Sequence, residues 1–161
     1  MKSLVVYSTQ TGNTKKLAEA VYDALPDEKE ILPITEAKDP EEYDFVAVGF
    51  WFMGGKPDPN TMQYLPKIGT KKLFLFGTHG VPKDSPEAAN GMNVAKQLAS
   101  MAEVVGCFNC PGQLSPKLLE MAGKETNLPP WLKDTSISNG HPDENDINEI
   151  KELVTKAAEN F

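Results

Sequence analysis

Cysteine, histidine and long apolar runs are scarce in this chain, and each scarcity removes a class of function. Two cysteines, Cys107 and Cys110, are too few for a disulfide framework, and a zinc or iron–sulfur site needs more ligands than they offer. In a regular strand, positions three apart face opposite sides, so the pair is expected to pack rather than to bridge. The two histidines, His79 and His141, lie far from both cysteines in sequence, and no Ser/His/Asp arrangement can be read from the spacing. No run approaches membrane-spanning length, and Met1-Lys2 leads directly into a strand-length apolar segment rather than a signal-peptide pattern. The expected setting is the cytoplasm, without membrane insertion. Basic side chains are also in the minority, 16 against 23 acidic, for a formal charge of −7. That balance disfavours nucleic acid and anionic membranes and favours partners with a basic docking surface.

What the chain does have is a polar loop in a revealing place. Ser8-Thr9-Gln10-Thr11-Gly12-Asn13-Thr14 follows the apolar run Leu4-Val5-Val6-Tyr7 and precedes a helical pattern. Backbone N–H groups at a helix N-terminus lack partners inside the helix, and the helix dipole adds positive potential there, so an anion is the natural occupant. Hydroxyls of Ser8, Thr9, Thr11 and Thr14 would add donors, and Gly12 permits close backbone approach or positive φ. The spacing fits neither the P-loop nor the three-glycine dinucleotide fingerprint. A plain helix cap would use the same residue types, so the remainder of the chain decides the reading.

The remainder alternates strands and helices within a length that suits one domain, residues 1–161. Strands are expected over residues 3–7, 29–34, 43–50, 73–77 and 103–109. Helical spacing appears in Leu17, Ala18, Val21, Ala24 and Leu25, in Met92, Ala95, Leu98, Ala99 and Ala102, and in Ile147, Ile150 and Val154 within a last helix over 143–159. Strands apolar on both faces require helices on both sides, giving a doubly wound α/β sheet with five parallel strands in the order 2-1-3-4-5. Ligands of such sheets sit beyond the C-terminal strand ends where strand order reverses. At that edge stand the polar loop, then Phe50-Trp51-Phe52-Met53-Gly54, whose aromatic rings suit a flat ligand, then Thr78-His79-Gly80. Residues 123–140 read as an irregular surface connection.

The order Thr9-x-Thr11-Gly12-Asn13-Thr14, two residues after a strand near the N-terminus, closely resembles the loop with which flavodoxins hold the FMN 5′-phosphate. The resemblance covers nearly the whole chain and implies a flavodoxin-like fold, bound FMN and electron transfer between a reductase and an oxidoreductase partner. It places Thr9 to Thr14 on the phosphate and makes Gly54 the glycine whose peptide turns toward flavin N5. Acidic side chains around the flavin would lower its potential, and a monomer is favoured. Two departures stand out. Met53 occupies the position before the glycine where many flavodoxins have tryptophan, with Trp51 two residues earlier. The third loop lacks the tyrosine that usually covers the other flavin face, leaving His79 or Val81 as the nearest substitutes. Gly106-Cys107-Phe108-x-Cys110-x-Gly112 and His141-Pro142-Asp143-Glu144-x-Asp146 are similar to small bacterial accessory flavodoxins that accompany bilirubin reductase. Two alternatives remain open: an FMN-dependent reductase or oxidase acting directly on a quinone-like or tetrapyrrole substrate, and a flavin-free binding module on the same fold.

Overall fold

A computed structural model describes residues 1–26, 28–37, 39–113 and 137–159. Six strands alternate with helices: β1 Lys2–Tyr7, α1 Asn13–Ala24, β2 Glu28–Pro33, β3 Phe45–Met53, β4 Lys56–Pro57, α2 Pro59–Tyr64, β5 Lys72–His79, α3 Pro86–Leu98, β6 Glu103–Pro111 and α4 Glu144–Ala158. The five long strands are parallel in the order β2-β1-β3-β5-β6, which is the 2-1-3-4-5 order of the doubly wound fold. The two-residue β4 pairs antiparallel with the end of β3.

Strand alternation splits the core into two layers. Val5, Phe45, Ala47, Phe74 and Phe76 point toward α1 and α4, where Leu17, Val21, Ile150 and Val154 meet them. Leu4, Val6, Val46, Val48, Phe50, Leu73 and Leu75 point the other way, against Tyr64, Ile68, Met92 and Ala95. Burial on both faces explains why these strands read as unbroken apolar runs.

The structure departs from the sequence expectation mainly at the C-terminal strand ends. There β3, β5 and β6 continue to Met53, His79 and Pro111, past the expected ends at Phe50, Gly77 and residue 109. Trp51 to Met53 are therefore strand residues with fixed sides, and Gly54-Gly55 is the tip of a two-residue hairpin with φ of 61° and 78°. Positive φ at both central positions is what such a tight hairpin requires, and two glycines supply it. Helix α3 starts at Pro86, six residues ahead of Met92, because Ser85 caps it by accepting the Ala88 N–H at 3.2 Å. Cys107 is exposed and Cys110 buried, on opposite sides of β6 as expected, and burial pushes the Cys110 thiol pKa up. The connection expected over 123–140 lies mostly outside the described residues.

Candidate functional site

The loop after β1 is anchored at its start and open at its end. Ser8 N–H donates to the Gly49 carbonyl at 2.9 Å, and its hydroxyl donates to Asp58 Oδ1 at 2.8 Å. Asp58 is buried and also accepts the Thr61 N–H at 3.1 Å and the Thr61 hydroxyl at 2.8 Å, which caps α2. Ser8 therefore does not belong to the donor set expected for an anion: its hydroxyl hydrogen serves a buried carboxylate. Further along, Thr9 Oγ1 accepts the Gly12 N–H at 3.0 Å, and Thr11 Oγ1 accepts from Asn13 Nδ2 at 3.0 Å. Both hydroxyls keep their own hydrogens to donate.

Gly12, at φ 91° and ψ −5°, is the N-cap of α1, with no side-chain cap and no acidic residue in the first turn. The first intrahelical bond runs from Lys16 N–H to the Gly12 carbonyl at 3.1 Å, so the N–H groups of Asn13, Thr14 and Lys15 have no acceptor within the helix. The other three described α-helices are capped by Asp58, Ser85 and Asp143. At Gly12 the space that a Cβ would enter is empty.

The opposite wall is built by the ends of β3 and β5. Trp51 and Met53 lie on the α1 side of the sheet, the first half-buried and the second 55 % exposed. Phe50 and Phe52 alternate to the α3 side, stacked at 5.9 Å between centroids with 9° between planes. Phe50 is wholly buried in the core and does not line the site, contrary to the sequence expectation, because strand alternation turns it inward. Phe52 lies 4.9 Å from the His79 ring. The Thr78 hydroxyl shares a buried 2.9 Å hydrogen bond with that of Thr14, tying the third loop to the first.

His79 is nearly buried, and its tautomer follows from its partners. Nδ1 accepts the Val81 N–H at 3.3 Å, so Nε2 carries the hydrogen donated to Asn109 Oδ1 at 2.8 Å. Burial lowers the His79 pKa below the ordinary histidine value, partly offset by the bond to Asn109.

Sequence reasoning missed a fourth wall, the two residues after β6. Asn13 Nδ2 donates to the Gln113 carbonyl at 2.8 Å, and Gly112 N–H donates to the His79 carbonyl at 2.8 Å. Together the four segments enclose a cleft of about 280 Å³. Thr9, Gln10, Thr11, Asn13 and Thr14 line it from the first loop, Trp51 to Gly54 from the hairpin, Thr78 to Gly80 from the third loop, and Gly112 and Gln113 from the fourth. Of the expected residues only Ser8, Gly12 and Phe50 contribute no lining. No charged side chain lines the cleft among the described residues, so the acidic surroundings expected for it are not found there. A second cleft of about 330 Å³ lies between the turn after β2 and α2, where Asp58 already closes the helix end.

Residues 4–155 match the flavodoxin domain family. The chain belongs to that family. It is 34 % identical to the flavodoxin-like domain-containing protein BilS of Clostridioides difficile (strain CD3), with 98 % of this chain and 99 % of that protein aligned. BilS of Clostridium symbiosum (strain WAL-14163) is 26 % identical over 74 % of this chain and 73 % of its own. Among solved structures, oxidised flavodoxin 2 from Bacillus cereus aligns over the full length of both chains with TM-score 0.68 at 19 % identity. A flavodoxin from the domain Archaea gives TM-score 0.66 at 21 % identity, covering 99 % of this chain and 97 % of its own. These structures share the flavodoxin fold with this chain.

Proposed function

We propose that this flavodoxin-like protein binds one FMN noncovalently in the cleft and passes electrons between a reductase and an oxidoreductase partner. The observation that carries this reading is the uncapped N-terminus of α1. Three N–H groups without a helix acceptor and the hydrogens of the Thr9 and Thr11 hydroxyls are available there, with no acidic residue in the first turn of the helix, a donor set suited to a phosphate monoester. The rest of the cleft suits a flat ring that is apolar on its faces and polar at its edge. Trp51 offers the aromatic surface on the α1 side, and Gly54 brings main chain to the mouth of the cleft. Flavin supplies the redox chemistry when bound; the chain orients it and excludes water from its buried side. Neutral His79 places no charge beside the ring near neutral pH. The acidic excess of the chain, none of which lines the cleft among the described residues, steers a redox partner with a basic docking face in a salt-dependent encounter.

An anaerobic reductive titration of the FMN-reconstituted protein tests this. Two separately resolved one-electron potentials are expected, with reduction of a protein acceptor that slows as salt rises. A single two-electron step, with direct turnover of a quinone-like or tetrapyrrole substrate by the isolated protein, would replace the carrier by a reductase. Failure to take up FMN would overturn the cofactor assignment.

A further inference from the structure

We propose that His141 is a positioning residue for the phosphate end of the cleft, acting through Gln113 and Asn13 without touching the ligand. This rests on the reading of the α1 N-terminus as a phosphate cradle. His141 lies at the start of α4, where its ring Nδ1 meets Asp146 Oδ2 at 2.6 Å. Asp146 is buried and locked in turn: its Oδ2 accepts the Asp143 N–H at 2.9 Å, and its own N–H donates to Asp143 Oδ1 at 2.9 Å. Both carboxylates are engaged in capping the helix, so the cluster is an anchor.

The main chain of His141 carries that anchoring outward. Its N–H donates to the Ser138 carbonyl at 3.1 Å, and its carbonyl accepts the Gln113 N–H at 2.6 Å. The Gln113 carbonyl then accepts from Asn13 Nδ2, which also donates to Thr11 Oγ1. One continuous hydrogen-bonded path therefore joins the anchored end of α4 to the Asn13 side chain in the first turn of α1. A hydrogen-bonded ring at His141 fixes where its carbonyl stands, and thereby where Asn13 and Thr11 stand.

Gly112 shows how little slack the path has. A Cβ there would come within 2.7 Å of Asn13 Nδ2 and 3.0 Å of its Cγ, so Asn13 fits only because residue 112 has no side chain. The main chain at 112–113 is thus held from three sides, by His79, Asn13 and His141.

The test compares FMN with riboflavin, which has the same ring but no phosphate, by titration of the full-length apoprotein. Wild type is expected to bind FMN more tightly than riboflavin; equal affinities would overturn the phosphate cradle itself. Given that preference, His141→Ala should weaken FMN by about fivefold, the effect of one misplaced neutral hydrogen bond, with riboflavin affinity changed by less than about twofold. His141→Asn, whose amide N–H can replace the Nδ1 donor, should restore FMN affinity. Gly112→Ala attacks the same path from its other end and should reproduce the FMN-selective loss. Equal losses for FMN and riboflavin in both disruptive variants would reduce His141 to a general structural role. Unchanged FMN affinity in folded His141→Ala would overturn the path outright.

Discussion

The N-termini of α1 and α4 solve the same problem in opposite ways. Each helix begins with N–H groups that have no acceptor inside the helix. At α4, Asp143 and Asp146 form a reciprocal capping box, with acidic Glu144 and Asp146 in the first turn. At α1 the cap is Gly12, no side chain accepts, and the first turn holds no acid. One end has its positive potential satisfied internally; the other leaves it directed at a cleft. The helices lie on the same face of the sheet and contribute to one core, so the difference is local to the caps. A helix end that is left open, where the other described α-helices are closed by side chains, supports the proposed anion site.

The comparison breaks most severely if α1 is closed in the manner of α4. Gly12→Asp brings a carboxylate beside the open N–H groups, at a cost in backbone strain because φ is 91° there, and repels a phosphate. Hydrogen bonds to charged groups are worth about 1.5–3 kcal/mol each, so losing two predicts at least about a hundredfold weaker FMN binding by titration. Unchanged FMN affinity would place the phosphate elsewhere. A milder change leaves the end open and removes side-chain donors. Thr11→Val with Thr14→Val deletes two hydroxyls while keeping branched side chains, and FMN affinity should fall about tenfold. The expected loss in stability is about 1 kcal/mol in urea denaturation, because the buried Thr14–Thr78 hydrogen bond goes with them.

The open end was legible in the sequence because everything that makes it lies within seven consecutive residues. Strand order and the two-sided core were legible for a similar reason: apolar runs on both faces leave few alternatives. The hairpin was signalled as well, since Gly54-Gly55 is a turn dipeptide, but its return strand is only Lys56–Pro57 and has no pattern of its own. A strand that ends at Phe50 leaves Trp51 to Met53 without fixed sides, whereas the longer strand gives each a side and turns Phe50 into the core. Asp58 before Pro59 had the form of a helix cap, yet its grip on Ser8, fifty residues earlier, could come only from the fold. Gln113 carries no local signal, and the motif that ends at Gly112 says nothing of a cleft wall. Their role is defined by Asn13, about a hundred positions away in the chain.

The smallest effect separates the two ends by acid. The Asp143 carboxyl is held below the ordinary aspartate pKa, chiefly by the Asp146 N–H that it accepts, with desolvation opposing and the neighbouring His141 adding to the lowering. An aspartate with a lower pKa folded than unfolded binds protons more readily when unfolded, so it contributes stability above its unfolded pKa, ordinarily 3.8. That contribution is lost as pH falls through the lower folded value. Asn caps a helix about as well as Asp but does not titrate in this range. Asp143→Asn should therefore match wild type closely at neutral pH and show a shallower loss of stability below the ordinary aspartate value, followed by urea midpoints across the acid range. The open end of α1 has no such group, so wild type should owe none of its acid sensitivity to that cap, whereas Gly12→Asp should acquire some. Parallel acid profiles for wild type and Asp143→Asn would mean that the carboxylate at α4 is not what closes that helix end.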